Sequence, residues 1–324
     1  MSIHVNVNGT KKITNIFANI NGTKKEIQSV WVNKNGVPTK VFGNKPISLK
    51  MFIVTEVGGS GKYSRYSEDG GINWISNSIG SNNAITYGNG KFMLGLTGNT
   101  QLTDFNMSIT VSAVNSSAIH YEMAYGNGCF VTVTDKGIWY YDGPDEYGIH
   151  KWTEYYKSPT TCVDVCYGNG KFVCVGSDGI YTINTKVQSG NFTCVCYGNG
   201  RFVASGSAGT YYSDDGTTWT KISTFHNFVD ITYGNGKFFA VKDTKGVFYS
   251  SDGISWSSVI LDYAVKAIAY GDGNVVAVGS YGKGFHSADG ITWENVSENG
   301  LGNTSSYTWG SLAYSADGGY GDTV

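Results

Sequence analysis

The tetrad Tyr-Gly-Asn-Gly, with an apolar run on each side, recurs along most of this chain and limits its fold more than any other feature. Copies stand at Tyr87, Tyr125, Tyr167, Tyr197, Tyr233 and Tyr270, the last with Asp in place of Asn, at spacings of 38, 42, 30, 36 and 37 residues. Self-similarity at such a period is the mark of a repeat architecture, and this period is close to that of a four-stranded propeller blade. Asn-Gly between alternating apolar residues reads as a two-residue hairpin turn, since both residues tolerate positive φ. Each copy therefore supplies two strands, A and B. A second Gly-bearing turn, such as Gly206 to Gly209, leads to an aromatic strand C, and an Asp-Gly turn followed by Trp, as in Ser213 to Ile222, opens strand D.

The ends of the chain decide the blade count, because a propeller commonly closes its ring by sharing one blade between its termini. Residues 51 to 76 offer strands B, C and D without the tetrad, and Trp309 to Tyr314 reads as an A strand with no complete blade after it. Joined, they predict an all-β, seven-bladed propeller of four-stranded blades closed by the C-terminal strand. Six blades with an appended hairpin is the alternative. The 45 glycines, 4 prolines, 14% aromatic and 15% charged residues suit sheets joined by tight turns.

The turn before strand D has a recognisable form. Ser67-Glu68-Asp69-Gly70-Gly71-Ile72-Asn73-Trp74 resembles the Asp-box of BNR and sialidase-type propellers, pattern SxDxGxxW, and the copies ending at Asp215/Trp219, Asp252/Trp256 and Asp289/Trp293 are one residue shorter. The resemblance covers about residues 50 to 324 and implies that Ser67, Asp69, Gly71 and Trp74, with those shorter copies, fasten the blade periphery and carry no catalysis.

Residues 1–45 follow a different period, with VNVNGTKKI, ANINGTKKEI and VNKNGVPTKVF centred on Gly9, Gly22 and Gly36. Each reads as strand, turn, strand, so the chain divides into a small β-hairpin module, 1–45, and a propeller, 46–324. Hairpins this small need a neighbour to pack on, which makes the module an attachment piece. Residues 3 to 42 resemble short repeats in tail and minor structural proteins of phages and prophages of Gram-positive hosts. The resemblance implies a virion protein of tail or baseplate, made in the host cytoplasm without a Sec signal, whose residues 1–45 bind other virion proteins.

Several function classes find no support in the sequence. Net charge is −2 and the 23 basic residues include only Arg65 and Arg201 as arginines, so nucleic acid is not an expected partner. No apolar stretch reaches the ~20 residues of a membrane span, and the N-terminus lacks the layout of a signal peptide. Cys162, Cys166, Cys194 and Cys196 could make a four-thiolate site or disulfides, but CxxxC and CxC in alternating strands place side chains along a pleat, so they read as core; no metal or cofactor is expected. The histidines show no metal-ligand spacing. A sialidase site needs three arginines, and the carboxylates Asp104, Asp145, Glu146, Glu154, Asp164 and Asp230 include no pair that a motif singles out for glycosidase chemistry. The expectation is a non-enzymatic protein.

Residues that break the repeat are the candidates for binding, because loops on a propeller face are free of the blade's packing rules. Tyr155, Tyr156, Phe225, His226 and Tyr263 fall in apparent D-to-A connections, and Tyr281 interrupts the last B-to-C turn. Aromatic faces beside hydrogen-bonding groups suit sugar rings, so host surface glycan is the expected ligand, against the alternatives of an architectural subunit or a glycan hydrolase. The same aromatics could instead pack between blades. The insertion from Tyr140 to Trp152 lengthens one C-to-D turn and offers a docking place or mere decoration.

Overall fold

The computed structural model describes residues 16–20, 23–27, 30–34, 37–42, 50–56, 64–77, 84–96, 99–103, 108–111, 118–147, 149–156, 162–183, 185–224, 226–301 and 309–315. The chain falls into two compact units, Met1–Ser48 and Leu49–Val324. In the first, Ile16–Ile20 pairs with Thr23–Ile27 and Val30–Lys34 with Val37–Phe42, two antiparallel hairpins whose innermost pairs are Ile20 with Thr23 and Lys34 with Val37. The unit read around Gly9 lies outside the described residues, as does the tail after Ser315.

The second unit is a seven-bladed propeller in which every blade is a four-stranded antiparallel sheet. The innermost A strands of blades 2 to 7 are Ala84–Gly88, His120–Gly126, Cys162–Gly168, Cys194–Gly198, Asp230–Gly234 and Ala267–Gly271. Blade 1 takes its A strand from the C-terminal segment Trp309–Ser315, which runs antiparallel to Met51–Glu56 with Tyr314 opposite Phe52 and Leu312 opposite Val54. The ring is closed by that pairing. Antiparallel meanders put the A–B and C–D turns on one face of the disc and the B–C turns and D-to-A connections on the other.

The core lies between blades rather than within them. Seven buried clusters occupy the seven seams; one joins Cys194, Cys196 and Val203 of blade 5 to Phe228, Ile231 and Phe238 of blade 6, and another joins Phe52, Val54 and Trp74 of blade 1 to Val276, Val278 and Leu301 of blade 7. Five cysteines contribute to this core as buried free thiols, and Cys129 is half-buried. Burial pushes the Cys162 thiol up to about 12.

The repeated tetrad explains the seams. Its Asn has φ of 46 to 50° and its second Gly 74 to 81° in blades 2 to 6, both left-handed, as a type I′ turn requires. The first Gly is needed for space instead. A Cβ on Gly88, Gly126, Gly168, Gly198, Gly234 or Gly271 would fall inside the ring of the next blade's tyrosine, in order Tyr125, Tyr167, Tyr197, Tyr233, Tyr270 and Tyr314. The other face of that ring meets the blade's own B strand, with Tyr197 and Phe202 centroids 4.6 Å apart and Tyr125 and Phe130 4.7 Å apart. The tyrosine is thus the tie between blades, and the glycine is its landing site.

A second tie lies at the disc's rim. In the turn before strand D of blade 5, Ser213 Oγ donates to Asp215 (3.0 Å) and accepts from Gly216 N (2.8 Å), while Thr217 N and Thr218 N donate to the same carboxylate at 2.7 Å. Blades 6 and 7 repeat this with Ser250/Asp252 and Ser287/Asp289, and blade 1 with Ser67/Asp69. The turn amides hold the Asp289 carboxyl at about 2. Trp74, Trp219 and Trp293 close the turn by donating their indole N–H to the carbonyls of Gly71, Gly216 and Gly290. Trp256 occupies the equivalent place without that bond, its indole nitrogen buried and unpartnered.

Each turn rests on the preceding blade. Lys171 Nζ donates to Asp215 O (2.8 Å) and Arg201 Nη1 to Asp252 O (2.8 Å), each from the position after the preceding blade's tetrad. A Cβ on Gly253 would meet Val203 of blade 5, and one on Gly290 would meet Phe239 of blade 6.

The two kinds of tetrad glycine should separate on substitution. Gly198→Ala drives a methyl into Tyr233 and is expected to cost about 3 kcal/mol or more through overpacking. Gly200→Ala has open space around it and suffers only its φ of 80°, about 1–2 kcal/mol. Urea denaturation of the two variants side by side checks this; equal losses would refute the landing-site role.

Candidate functional site

Two places in the propeller bring candidate side chains into view: the central channel and the region where the D strand of blade 6 meets the B–C turn of blade 7.

The channel, of about 330 Å³, is lined by residues from all seven A strands or the residues just before them. An A strand is the inner edge of its blade, so alternate backbone N–H groups face the channel with no strand to receive them, and such donors need partners. Acidic side chains at one repeat position supply them. Asp164 accepts from Val165 N of its own strand and from Val195 N of blade 5, both at 2.7 Å. Asp230 does the same for Ile231 N and for Ile268 N of blade 7, again at 2.7 Å. Glu122 accepts from Met123 N at 2.9 Å. Each aspartate therefore bridges two adjacent blades.

These three carboxyls are half-buried and close enough to oppose one another's ionisation. Burial is the largest cause, pushing Asp164 up to about 6 and Asp230 up to about 7, with the Asp164 charge adding to the rise at Asp230. Glu122 is raised well above the usual carboxylate range by burial first and Asp164 second. Neither Arg65 nor Arg201 is among the channel-lining residues. Arg65 Nη1 bonds Ser76 Oγ; Arg201 grips Asp214 through Nε and Nη2 (2.6 and 3.2 Å) and lies 4.6 Å from the Tyr212 ring centroid. Asp164 and Asp230 stand at equivalent places near the start of an A strand; that they span to the next blade is visible only in the fold. Among the described residues no group of three His, Cys, Asp or Glu is placed to hold a metal ion.

The aromatic candidates scatter. Tyr155 and Tyr156 belong to the D strand Thr153–Tyr156 of blade 3, not to a connection, and Tyr155 meets Tyr140 edge to face at 5.3 Å. Phe225 lies outside the described residues. His226 points inward: it is 7% exposed, stacks on Phe228 at 4.9 Å and 9°, and leaves both ring nitrogens without a partner. It is a packing residue of the seam between blades 5 and 6, and burial lowers its pKa.

Tyr263 is linked through Lys283 to the turn that carries Tyr281. Tyr263 sits in Ser257–Val265, the long D strand of blade 6, whose pairing with the C strand shifts register between Thr244 and Gly246. Tyr281 occupies the B–C turn of blade 7, in which Lys283 N donates to Ser280 O (3.3 Å), and the Lys283 ammonium lies 4.5 Å from the Tyr263 ring centroid. Tyr263 is 42% and Tyr281 60% exposed. Tyr281 has φ of 61°, a conformation in which a bulky side chain is strained.

No protein-family model and no curated protein matches this sequence. Solved structures do. The computationally designed protein Ika8 superposes with a TM-score of 0.56 at 11% identity, over 83% of this chain and 95% of that one. YCF48 bound to a D1 peptide superposes with a TM-score of 0.53 at 13% identity, over 79% of this chain and 89% of that one. The chain shares its fold with these propellers. At such identities the likeness extends to the fold alone.

The channel carboxyls make stability depend on pH with a defined sign. Asp230 titrates near 7 when folded and near 3.8 when unfolded, so the folded state binds the extra proton and stability falls as pH rises from about 4 to 7. Asp230→Asn removes that loss. Relative to the parent protein the variant should gain on the order of 2 kcal/mol between pH 5 and pH 8, read from thermal or urea unfolding across pH; a constant difference would show that Asp230 is ionised throughout.

Proposed function

We propose that this chain is a non-enzymatic attachment protein of a phage or prophage particle, with residues 1–45 joining it to neighbouring virion proteins of tail or baseplate and the propeller binding glycan on the host surface. The carrying observation is Tyr281. The first central position of a type I′ turn is normally Asn, Asp or Gly; this chain uses Asn or Asp there in its A–B turns, and the equivalent B–C turns of blades 3, 4 and 5, Asp135-Lys136, Ser177-Asp178 and Ser207-Ala208, avoid positive φ. An exposed tyrosine there costs roughly 1–2 kcal/mol, and strain kept at an exposed position has its use outside the fold. Lys283 of the same turn lies over the Tyr263 ring, next in sequence to the exposed Asp262, so that aromatic faces stand with donors and acceptors in the two segments, as suits a sugar ring.

The non-catalytic part of the reading is supported by the channel, where the oxygens of Asp164 and Asp230 are engaged by strand backbone rather than offered to a substrate. The turns before strand D have the bonding that the Asp-box resemblance implies for a fastener. The virion part rests on the likeness of the Asn-Gly hairpin units to tail-protein repeats. A second reading, in which the propeller is an architectural subunit that binds polypeptide, is favoured by one observation: the YCF48 propeller is held in complex with a D1 peptide.

A glycan array that includes Gram-positive cell-wall polysaccharide, probed with the full chain and with Tyr281→Gly, tests the proposal. The parent should bind, and the variant should lose at least tenfold in affinity while gaining about 1 kcal/mol in stability as the left-handed strain is relieved. An array on which the folded parent binds nothing would overturn the glycan reading in favour of polypeptide.

A further inference from the structure

His226 is the one histidine of the described residues that is buried with both ring nitrogens unpartnered. It belongs to the connection 226–229, which enters the A strand of blade 6. The ring is seated by other rings. It stacks on Phe228 (4.9 Å, 9°), meets Phe248 of blade 6 edge to face at 5.6 Å and lies 6.3 Å from Trp256, whose indole nitrogen is likewise buried and unpartnered. Over the same cluster lies an ammonium: Lys242 Nζ is 4.3 Å from the Phe248 centroid and 5.5 Å from that of Phe228.

Packing between blades does not require an imidazole here. Seven residues before the tetrad tyrosine, where His226 precedes Tyr233, blades 3, 5 and 7 carry Ala118, Gly190 and Tyr263. In the connection into blade 5, Phe192 takes the place of Phe228 and meets Tyr211 at 5.2 Å, with Gly190 where His226 would stand. The ties that hold the blade 6 connection are few: Phe228 N donates to Ser205 Oγ (3.0 Å), Val229 N donates to Val241 O (2.8 Å), and Phe228 O accepts from Thr193 Oγ1 (2.7 Å).

We propose that His226 is an acid-operated latch: its neutral ring seats the connection 226–229 against blade 6, and protonation releases that connection and bares Phe228, Phe248 and Trp256. An imidazolium carries two N–H donors and a charge. In this place neither donor finds an acceptor. Of the groups packed on the ring, Phe228, Phe248 and Trp256 are uncharged, and the ion that acts on it, Lys242, has the same sign. A buried charge without a partner is costly, so the proton is taken up by the open form. Burial first, and Lys242 second, lower the pKa of His226 from 6.5. The closed form therefore binds fewer protons than the open one, and the latch weakens as pH falls below about 6.5. The channel carboxyls act in the opposite sense, since Asp164 and Asp230 are raised in the folded state and favour it on acidification. A local readout separates the two.

Amide hydrogen exchange of the full chain at pH 7 and pH 5, corrected for intrinsic rates, reads the latch at Phe228 and Val229, with Phe192 of the equivalent connection as reference. Protection of Phe228 and Val229 should fall about tenfold at pH 5 while that of Phe192 holds. His226→Phe, which keeps a ring and takes no proton, should abolish the fall. Lys242→Met leaves the histidine in place, removes the like charge and should shrink the fall by about twofold. Unchanged protection in the parent overturns the latch. So does a fall that Phe192 shares, one that persists in His226→Phe, or one of equal size in Lys242→Met.

Discussion

The propeller depends on one contact repeated around its axis, a tyrosine ring laid on the bare backbone of the preceding blade. Six times the glycine after one blade's tyrosine leaves room for the tyrosine of the next, and Tyr314 on Gly271 carries the contact across the joint between the two ends of the chain. An isolated four-stranded blade has two apolar faces and little to bury them against, so its stability comes from neighbours. The position of the buried clusters, one per seam, expresses the same fact. With only 15% charged residues the chain has few ion pairs to spend on holding blades together, and exposed pairs such as Lys50–Asp272 contribute little each.

The channel presents a problem that the same geometry creates. Seven inner strands expose their edges toward one another without being able to pair, and the acidic residues of blades 3, 4 and 6 answer it by taking up the backbone N–H groups of Met123, Val165, Val195, Ile231 and Ile268. A carboxylate has enough lone pairs to serve two strands at once, which an amide oxygen facing one way does not. The cost is charge in a confined space, seen in the raised Asp164 and Asp230 carboxyls. A channel that looks from its residue list like a pair of catalytic acids is, by its hydrogen bonds, a brace.

Much of this was legible in the sequence because the local signals are redundant. Asn-Gly fixes a turn, alternation fixes the strands around it, and the unmatched strands at 51–76 and 309–314 fix closure and blade number. What was not legible is what depends on contacts between repeats. The glycine after each tyrosine reads as part of a turn signal, and only the packed ring shows that its role is to be empty. Asp164 and Asp230 were recognisable as equivalent, but nothing in the string says that an oxygen reaches the following blade. Tyr155 and Tyr263 read as connections because aromatic and polar residues broke the small-residue pattern, whereas strand pairing extended through them. His226 looked like a surface group for the same reason and is instead sealed against Phe228 and Phe248.

A repeat makes departures from itself interpretable, since each position has six others as its reference. Cys129 stands in blade 3 where blades 4 and 5 carry the Lys171 and Arg201 that clasp the next turn, and blade 4 has no Ser-Asp-Gly turn for it to clasp; that departure is explained by its neighbour. Tyr281 has no such explanation. Nothing in the blade calls for a strained, exposed tyrosine where the B–C turns of blades 3, 4 and 5 avoid positive φ. The connection of blade 3 also replaces the Ser-Asp-Gly turn, as blade 4 does, with a longer segment tied internally by Asp145 and pinned to blade 2 through Trp152. Packing accounts for that connection but not for Tyr281, which therefore points to a contact made outside the chain.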